Sequence, residues 1–552
     1  MERRKRNGKH LISIAICAIL VMSLVACSTG GTTTGSANPS TSGTTSGTTT
    51  AGTTTPAAYT YAGSAPIADE TITLSILTTN SGSKMLGFAD MAWWQEVLKR
   101  ANVTLEMEEI DSSSYGDVIK PRLAAAVDLP DIVKMPGADD DMAYIKSGIF
   151  VELTDYYEDY GYNFAKQFDE HTMLKGSLTT PDGKIFYAPY IYTTANNSRC
   201  LMVNKDFVES VGMQLGDIKT IDDFYAYLTA VAQNDANGNG DAADEVALFS
   251  RSGMIQLWSM FWGLDVTGTF QREADGKVIC GYADERYREM LVFLNQLFEE
   301  KLLYSEFATA NYDTQQALFT NNQIGSLIHF VSNCTSYSQA IDPDWDFYND
   351  EPIIQPVVPL TGPHGDQHVY GRDSMGSLFG ITRYCEDPES AFKFIDYLMS
   401  DEVGELTWYG IEGTDYEIVD GEIQFTEVYL KSEDGYRSNQ GYNFDGLPSY
   451  QLGGGYMATQ CKFVRDMSND VLVKYVMNPT ITFSYKLEEE NEVIRSYVAD
   501  LKTNFSENLT AFIMGTRSLD TWDAYIADLQ KMNLDKVLEV YQAVSDRQAA
   551  SK

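Results

Sequence analysis

Thr71-Ile-Thr-Leu-Ser-Ile-Leu77 has the alternating, β-branched pattern of a strand and opens the region that decides the fold. Two further short strands are predicted at Val103-Thr-Leu-Glu-Met107 and Leu129-Pro-Asp-Ile-Val133, with a helical stretch before each of them. A β-α-β-α-β order brings the strands together in parallel and places the helices on the faces of the sheet. The sequence therefore predicts an α/β fold.

The N-terminus has the features of an export signal. Basic residues up to Lys9 precede an apolar run from Leu11 to Val25, which is too short to span a bilayer comfortably. The run ends in Leu24-Val-Ala-Cys27, which resembles the lipobox of bacterial lipoproteins. We predict that residues 1–27 are a lipoprotein signal peptide and that Cys27 is lipidated, anchoring the chain to the outer face of a membrane. An ordinary secretory signal is the alternative.

The segment after Cys27 is predicted to be a linker. Residues 28–68 contain no charged side chain and are rich in Thr, Ser and Gly. Such a composition buries too little apolar surface to offset the entropy of ordering the backbone. We therefore predict a disordered linker over residues 28–68 and a folded part over residues 69–552.

Charge and cysteine content exclude several classes of protein. The chain has 78 acidic and 40 basic residues, for a net charge of −38, so nucleic acid is not an expected partner. The same charge mildly disfavours uronate ligands, although local charge in a cleft can overrule it. The five cysteines after Cys27 are scattered and form no C-x-x-C pair, so neither a disulfide framework nor a cysteine zinc site is indicated.

One loop has the spacing of calcium ligands. Oxygen-bearing side chains recur at alternate positions and are followed by Gly240 and an acidic pair, as in the first half of an EF-hand loop. Position 12 is Val246, so the loop departs from the EF-hand pattern, and a polar turn that binds nothing is the alternative. We predict a structural Ca²⁺ site with the ligands Asp235, Asn237, Asn239, Asp241, Asp244 and Glu245.

Several separated segments together resemble one family. They include Asp128-Leu-Pro-Asp-Ile132, the hairpin-like Pro181–Pro189, the segment Asn204–Met213, and Asp387–Leu398. These matches, with the Asp235 loop, occur in the family's order, and the resemblance runs from about residue 70 to 548. The chain is similar to family 1 of the extracellular solute-binding proteins, the lipoprotein receptors of carbohydrate ABC importers.

The resemblance implies a two-lobed, periplasmic-binding-protein-like fold of type II. A hinge and an interlobe cleft are expected, with a first lobe over about 69–195 and a second over about 200–350. The chain is then expected to cross back between the lobes and to end in a helical C-terminal region. The implied function is that of a monomeric, lipid-anchored receptor without enzymatic activity. It would bind an oligosaccharide outside the cell and deliver it to the permease subunits of an ABC importer.

Aromatic and polar residues near predicted strand ends and loops are the candidate ligand contacts. Sugars stack their C–H faces on aromatic rings, while polar side chains bind the hydroxyl groups. Core packing is the alternative for Trp94, Trp258 and Trp262. Tyr190, Tyr192 and Asn197 lie near an expected crossing between the lobes. The predicted ligand-binding residues are Trp94, Tyr190, Tyr192, Asn197, Trp258, Trp262, Arg372, Asp373 and Trp408.

Two alternative functions stay open at this point. A solute-binding lipoprotein could act as a sensor without a role in transport. A surface-anchored glycosidase needs only two suitably separated carboxylates, and a chain this acidic offers many.

Overall fold

The computed structural model describes most of the chain after the predicted linker. The described residues are 60–80, 87–137, 141–171, 174–193, 197–371, 373–427, 429, 446–452, 455–477 and 485–550. The predicted signal peptide, Cys27 and the linker up to residue 59 lie outside them. No described helix has the length and apolar composition needed to cross a membrane.

The first sheet has five strands in the order β2-β1-β3-β10-β4. Ile72 pairs with Val103 and Ile76 with Ile132, both in parallel, so the predicted β-α-β-α-β unit is confirmed. Strand β10 then joins β3 and β4 in antiparallel pairing. The strands of this sheet are β1 (Ile72–Asn80), β2 (Val103–Asp111), β3 (Ile132–Lys134), β4 (Tyr187–Thr193) and β10 (Asp373–Ile381).

The second sheet has three strands in the order β8-β5-β9, and both outer strands are antiparallel to β5. Two separate hairpins, β6–β7 and β11–β12, complete the strands of the described residues. The remaining strands are β5 (Arg199–Asn204), β6 (Phe270–Arg272), β7 (Val278–Cys280), β8 (Ser326–Phe330), β9 (Ile354–Pro356), β11 (Tyr416–Val419) and β12 (Glu422–Phe425).

Helices flank both sheets, and several begin at caps visible in the sequence. Thr220 and Asp223 form a reciprocal capping box at the start of α8, and Asp387 caps α12 ahead of Pro388. In the first lobe the helices are α1 (Ala92–Ala101), α2 (Tyr115–Ala125), α3 (Asp141–Lys146), α4 (Thr154–Tyr160), α5 (Tyr162–Glu170), α6 (Leu174–Leu178), α12 (Pro388–Leu398) and α13 (Asp401–Tyr409). The others are α7 (Lys205–Ser210), α8 (Ile221–Ala232), α9 (Glu285–Glu299), α10 (Tyr312–Thr320), α11 (Asn333–Ile341), α14 (Gly455–Ala458), α15 (Lys462–Asp466), α16 (Glu488–Ile513), α17 (Trp522–Lys531) and α18 (Leu534–Ala550).

Each sheet has its own core, which defines two lobes. In the first lobe, Ile76 packs into the cluster on one face of the sheet and its neighbour Leu77 into the cluster on the other. In the second lobe, Cys200 packs into the cluster on one face of the sheet and its neighbour Leu201 into the cluster on the other. Alternate residues of a strand point to opposite faces, so both sheets are covered on both sides. This layered, two-lobed α/β arrangement confirms the predicted fold class.

The C-terminal helices belong to the second lobe. Leu501 and Phe512 of α16, Tyr525 of α17 and Val537 of α18 are buried in the same cluster as Leu201. The chain therefore returns to the first lobe at β10 and ends in the second lobe. The C-terminal region is helical, as expected.

Residues 60–68 pack against the first lobe, which corrects the predicted linker end at residue 68. Tyr61 is buried, and its hydroxyl donates a hydrogen bond to the Asp396 carboxylate at 2.7 Å. Ile67 is also buried, and its backbone N–H donates to the carbonyl of Ala101 at 3.1 Å. Two large apolar side chains are enough to dock the end of a segment whose composition is otherwise that of a linker.

The packing of residues 60–68 predicts that two truncated chains differ in their free energy of unfolding. A chain that begins at residue 60 retains both buried side chains, whereas a chain that begins at residue 69 loses them. The shorter chain is expected to have a free energy of unfolding lower by about 2–5 kcal/mol, from the lost apolar burial and hydrogen bonds. Thermal and urea unfolding measure the difference, with Thr60→Ala as the exposed control. Equal stability of the two truncated chains would contradict the packing of residues 60–68.

Candidate functional site

The strand ends of the first sheet meet at one edge, which we call the first-lobe edge. Strands β1, β2 and β3 are parallel, and β1 and β2 end level with each other at Asn80 and Asp111. Strand β3 ends at Lys134, one residue after Val133, which pairs with Leu77. Because β10 and β4 pair antiparallel, the start of β10 and the end of β4 lie at the same edge, where Asp373 pairs with Thr193. This edge is staggered: Lys134 lies level with Ala188 of β4, and β4 continues five residues further to Thr193. The strand ends that form it are Asn80, Asp111, Lys134, Thr193 and Asp373.

The second sheet presents its own edge, the second-lobe edge, formed by Arg199, Phe330 and Tyr370. Arg199 begins β5 and pairs with Phe330 at the end of β8. The backbones of Arg199 and Tyr370 exchange two hydrogen bonds, with N···O distances of 2.5 and 3.0 Å. These two residues lie on the two chain segments that lead to the first-lobe edge.

The two edges lie close together because the chain passes directly between them. Thr193 and Asn197 are separated by four residue steps, which span at most about 14 Å. Gly371 and Asp373 are separated by two steps. The chain ends of both sheets therefore face the same region, which is where a hinge and a cleft between two lobes are found in binding proteins.

Two tyrosines on β4 form the aromatic part of this region. Tyr190 and Tyr192 are two positions apart and share one face of the strand. Their ring centroids are 4.8 Å apart at an interplanar angle of 71°, an edge-to-face contact. Tyr192 is partly exposed, whereas Tyr190 is 4% exposed, so Tyr192 is the ring that a ligand can reach.

Buried polar groups occupy the first-lobe edge. Lys134 is 8% exposed, and its ammonium group donates to the Thr79 hydroxyl at 2.8 Å. The hydroxyl of Thr78 donates to the carbonyl of Gly446 at 2.5 Å. Burying an ammonium group costs free energy unless hydrogen bonds compensate it. A buried lysine is therefore unusual in a core that serves only to pack apolar side chains.

The second-lobe edge carries polar groups beside an aromatic ring. The guanidinium carbon of Arg199 lies 4.5 Å from the ring centroid of Phe330, a cation–π contact. The buried Asn197 accepts a hydrogen bond from the Ser332 backbone N–H at 3.3 Å, which fixes its side chain next to the start of α11. The Oγ of Ser198 is buried and has no hydrogen-bond partner among the described residues.

The structure brings some of the predicted ligand contacts to this region. Tyr190 and Tyr192 lie on β4 near the first-lobe edge, and Asn197 lies in the crossing segment. The backbone of Asp373 lies at the same edge, while its side chain and the whole of Arg372 fall outside the described residues. Ligand contact by these residues remains a prediction.

Three of the predicted tryptophans belong instead to hydrophobic cores, which corrects our expectation. Trp94 is fully buried in the first lobe, 5.5 Å from Phe88 between ring centroids. Trp258 and Trp262 lie on a 3₁₀ helix of the second lobe and pack on Phe293 at 5.8 and 5.9 Å. An aromatic residue suits a core as well as a sugar site, and here the core alternative holds.

Trp408 is as buried as those three residues but lies at a contact between two helices. It is 2% exposed and lies where α13 meets α14, with its Cβ 2.8 Å from the position that a Cβ on Gly455 would take. The hydroxyl of Tyr429 donates to the Trp408 carbonyl at 3.0 Å. Ligand contact by Trp408 also remains a prediction.

The sequence analysis missed the cations and hydroxyls at the two edges. Lys134 directly follows the predicted third strand, and Arg199 precedes the predicted start of the second lobe. Both positions could have been singled out as basic residues next to strand ends in an acidic chain. Thr79 and Phe330 carried no comparable signal.

The predicted calcium loop folds around its oxygen-bearing side chains. The Asp235 carboxylate accepts hydrogen bonds from the backbone N–H groups of Asn239 and Gly240, at 3.0 and 2.8 Å. The side-chain amide of Asn239 donates to the Asp244 carboxylate at 2.8 Å. The side chain at this alternate position therefore points toward the acidic pair Asp244 and Glu245. One oxygen of Glu245 is buried and has no partner among the described residues.

These donors suit a hard cation. Carboxylate and amide oxygens are the ligands that Ca²⁺ prefers, and a buried carboxylate oxygen without a partner is costly unless a cation or water satisfies it. The loop mixes Asp and Glu with Asn. Within the described ranges, no group of three or more His, Cys, Asp or Glu side chains is itself placed to hold a metal ion. The residues of the loop therefore fit Ca²⁺ by chemistry, with the amide oxygens as part of the ligand set.

A separate cavity of about 590 Å³ lies between β12 and the helices α14 and α15. Phe347, Tyr348, Phe425 and Arg465 line it, and the Tyr348 hydroxyl donates to the Phe425 carbonyl at 3.3 Å. Tyr348 precedes β9 in the chain, and β9 pairs with the last residues of β5, which ends at Asn204. That end is about 17 Å from Arg199 along the strand, so this wall of the cavity lies away from the second-lobe edge.

Comparisons with known proteins agree with this architecture. The family described as "Bacterial extracellular solute-binding protein" matches residues 87–405, which is more than half of the chain. The fructooligosaccharide ABC transporter substrate-binding protein FusA of Streptococcus pneumoniae serotype 4 (strain TIGR4) is 25% identical over 458 residues, covering 77% of this chain and 81% of FusA. Lipoprotein LipO of Bacillus subtilis (strain 168) is 25% identical over 340 residues, covering 58% of this chain and 63% of LipO.

A solved structure of S. pneumoniae FusA in complex with kestose has the same fold. It superimposes with a TM-score of 0.68 at 22% identity, covering 87% of this chain and 100% of that structure. At this identity the likeness establishes the fold, and the family match carries the assignment. The chain belongs to the bacterial extracellular solute-binding protein family.

Proposed function

We propose that this protein is the substrate-binding lipoprotein of an ABC importer. It binds an oligosaccharide in the cleft between its two lobes and delivers it to the membrane permease. The observation that carries the proposal is that β4 and β10 of the first sheet connect, at Thr193 and Asp373, to the two segments that pair at Arg199 and Tyr370 beside the second sheet. Membership of the family and the likeness to a relative named for fructooligosaccharide transport support it.

The chemistry of the two edges suits a sugar. Tyr192 offers a ring face or edge to C–H groups, and the hydroxyl, amide and ammonium groups of Thr79, Asn197 and Lys134 are of the kinds that bind sugar hydroxyls. A ligand held between the lobes contacts both, so its binding favours the closed arrangement. A permease can then recognise the closed form.

Binding without chemical conversion is the expected activity. Of the two relatives reported above, one is named as a substrate-binding protein and the other as a lipoprotein, and neither is named as an enzyme. The proposed lipid anchor at Cys27 holds a monomeric receptor at the outer face of the membrane, within reach of its permease. A release of reducing sugar from bound oligosaccharide would contradict this part of the proposal.

The first test is a substitution at the aromatic pair. Tyr192→Ala is expected to weaken the binding of any oligosaccharide that binds this protein by about tenfold or more, since it removes the accessible ring. Isothermal titration against a panel of neutral and acidic oligosaccharides measures the change. Tyr384→Ala is the matched control, because Tyr384 is 44% exposed and follows the opposite end of β10. Unchanged affinity of the Tyr192 variant would place the ligand elsewhere.

We also propose that the Asp235–Glu245 loop binds a structural Ca²⁺ ion. Asp235, Asn237, Asn239, Asp244 and Glu245 would supply side-chain oxygens and Asp241 a backbone carbonyl, pinning the loop that follows α8. One related solved structure is described as an EF-hand mutant of FusA, so that relative has an EF-hand loop, which supports the proposal. The ion would stabilise the second lobe and take no part in ligand binding.

Calcium removal tests this site. The protein stripped with chelator is expected to melt several degrees lower than the protein in millimolar Ca²⁺, because a ligand that binds only the folded state stabilises it. Asp235→Asn is expected to abolish most of the difference. Asp275→Asn is the matched control, since Asp275 accepts a backbone hydrogen bond in another turn of the same lobe. A calcium effect that survives Asp235→Asn would show that the ion binds at another place.

A further inference from the structure

A further cavity, of about 330 Å³, lies in the second lobe against helix α16, and we call it the α16 cavity. Its volume is within the range of small-molecule sites in proteins, which begins at about 300 Å³. Three parts of the lobe enclose it: the stretch from Ser252 to Gln256, the turn from Val266 to Thr269, and the face of α16 between Lys502 and Thr510.

The floor of the α16 cavity is apolar and includes aromatic rings. Val266, Phe307, Phe505 and Leu509 line the cavity and are buried in the core of the second lobe. Tyr282 is partly exposed, and its ring stacks on Phe505 with the ring centroids 4.6 Å apart and an interplanar angle of 3°. A floor of this kind contacts the C–H groups of a sugar residue.

The polar side chains around this floor have unused hydrogen-bonding capacity. Thr267 and Thr510 also line the cavity, but their hydroxyls donate within the fold, to Asp265 and to the Ser506 carbonyl. Six other lining side chains make no hydrogen bond to any residue that the structure describes: Ser252, Gln256, Thr269, Tyr282, Lys502 and Ser506. Their hydroxyl, amide and ammonium groups supply the donors and acceptors that sugar hydroxyls match.

Two of these groups are largely removed from bulk solvent. Thr269 is 6% exposed, and a buried hydroxyl without a partner costs free energy unless water or a ligand satisfies it. Burial raises the pKa of Tyr282, so its phenol keeps the proton and remains a hydrogen-bond donor at physiological pH. The cavity is therefore suited to a polar ligand with an apolar face.

The strand directions place the α16 cavity on the side of the lobe that faces the second-lobe edge. Residues 246–249 run parallel to β8, and residues 302–304 run parallel to them in turn. Parallel segments end at the same side of a sheet, and β8 ends at Phe330 in the second-lobe edge. Ser252 and Phe307, which line the cavity, each follow one of these two segments by three residues.

A side-chain contact links the cavity wall to the same edge. The Tyr370 hydroxyl donates to the Leu264 carbonyl at 2.8 Å, and Leu264 precedes Val266 of the cavity floor by two residues. The backbone of Tyr370 pairs with Arg199 at the second-lobe edge. The cavity therefore adjoins the region where the chain crosses between the lobes.

We propose, building on the binding function above, that the α16 cavity is a subsite for one further sugar residue of the bound oligosaccharide. The floor with Tyr282 contacts the C–H groups of that residue, and Gln256, Thr269 and Lys502 bind its hydroxyls. A chain that extends from Tyr192 into the cavity makes contacts that a shorter chain lacks. The protein therefore prefers longer oligosaccharides.

The test compares chain lengths by isothermal titration with the mature chain. The probes are the trisaccharide and the pentasaccharide of three series: fructooligosaccharides, maltooligosaccharides and oligogalacturonides. Within a series that binds, the pentasaccharide is expected to bind about tenfold or more tightly than the trisaccharide, because only the longer chain fills the cavity.

Substitutions assign the length preference to the cavity. Ser506→Trp places an indole in the cavity from an exposed position on α16 and is expected to weaken pentasaccharide binding by about tenfold, with trisaccharide binding unchanged within a few-fold. Thr503→Trp is the matched control, since Thr503 is exposed on the same helix but does not line the cavity. Should Ser506→Trp lower the melting temperature of the free protein, Gln256→Ala removes a side chain that makes no hydrogen bond within the described fold and is expected to reduce the length preference several-fold.

The outcomes separate the subsite from the proposed function. Equal affinity for the two lengths in every series that binds overturns the subsite and leaves the proposed function intact. A length preference that both Ser506→Trp and Gln256→Ala retain, or that Thr503→Trp removes equally, also overturns it. Failure of every probe to bind contradicts both the subsite and the proposed function.

Discussion

The pair of backbone hydrogen bonds between Arg199 and Tyr370 is the interaction on which the arrangement of the site depends. Each residue lies on a segment that runs from one lobe to the other, and the two segments hold each other in antiparallel pairing. The pairing aligns the start of β5 with the approach to β10. It therefore fixes the ends of the two sheets opposite each other, and every candidate ligand contact on the edges follows from that alignment.

Separate cores support the proposal that this connection acts as a hinge. Each sheet buries apolar residues on both faces within its own lobe. Closely packed cores resist deformation, so motion concentrates in the few backbone segments that connect them. A ligand that contacts Tyr192 on one side and Arg199 on the other then favours the lobe arrangement in which both contacts are made. In the proposed function, that closed arrangement is the form that the permease recognises.

Local patterns predicted much of the first lobe and the helix starts. The alternation in Thr71–Leu77 and the caps at Thr220 and Asp387 are short-range signals, and the structure has the predicted elements there. The end of the linker was missed because two buried side chains, Tyr61 and Ile67, decide it. Composition averaged over a long segment does not register them.

The site was less predictable, for a topological reason. Trp94, Trp258 and Trp262 satisfied the criterion for sugar contacts, but the same size and apolarity fill a core. Lys134 and Tyr192 belong to one sheet only because β10 returns antiparallel between β3 and β4. Such a long-range pairing leaves no pattern in the residues on either side of it. The family resemblance indicated the two lobes and the cleft, and the strand register then located the edges.

The most direct measurement of the central claim is a crystal structure of the mature chain with an oligosaccharide that binds it. The account predicts sugar density between the lobes, with the ring of Tyr192 and the guanidinium group of Arg199 in contact with the same molecule. Density confined to the cavity lined by Phe347, Tyr348 and Phe425, with the two edges free of ligand, would contradict it.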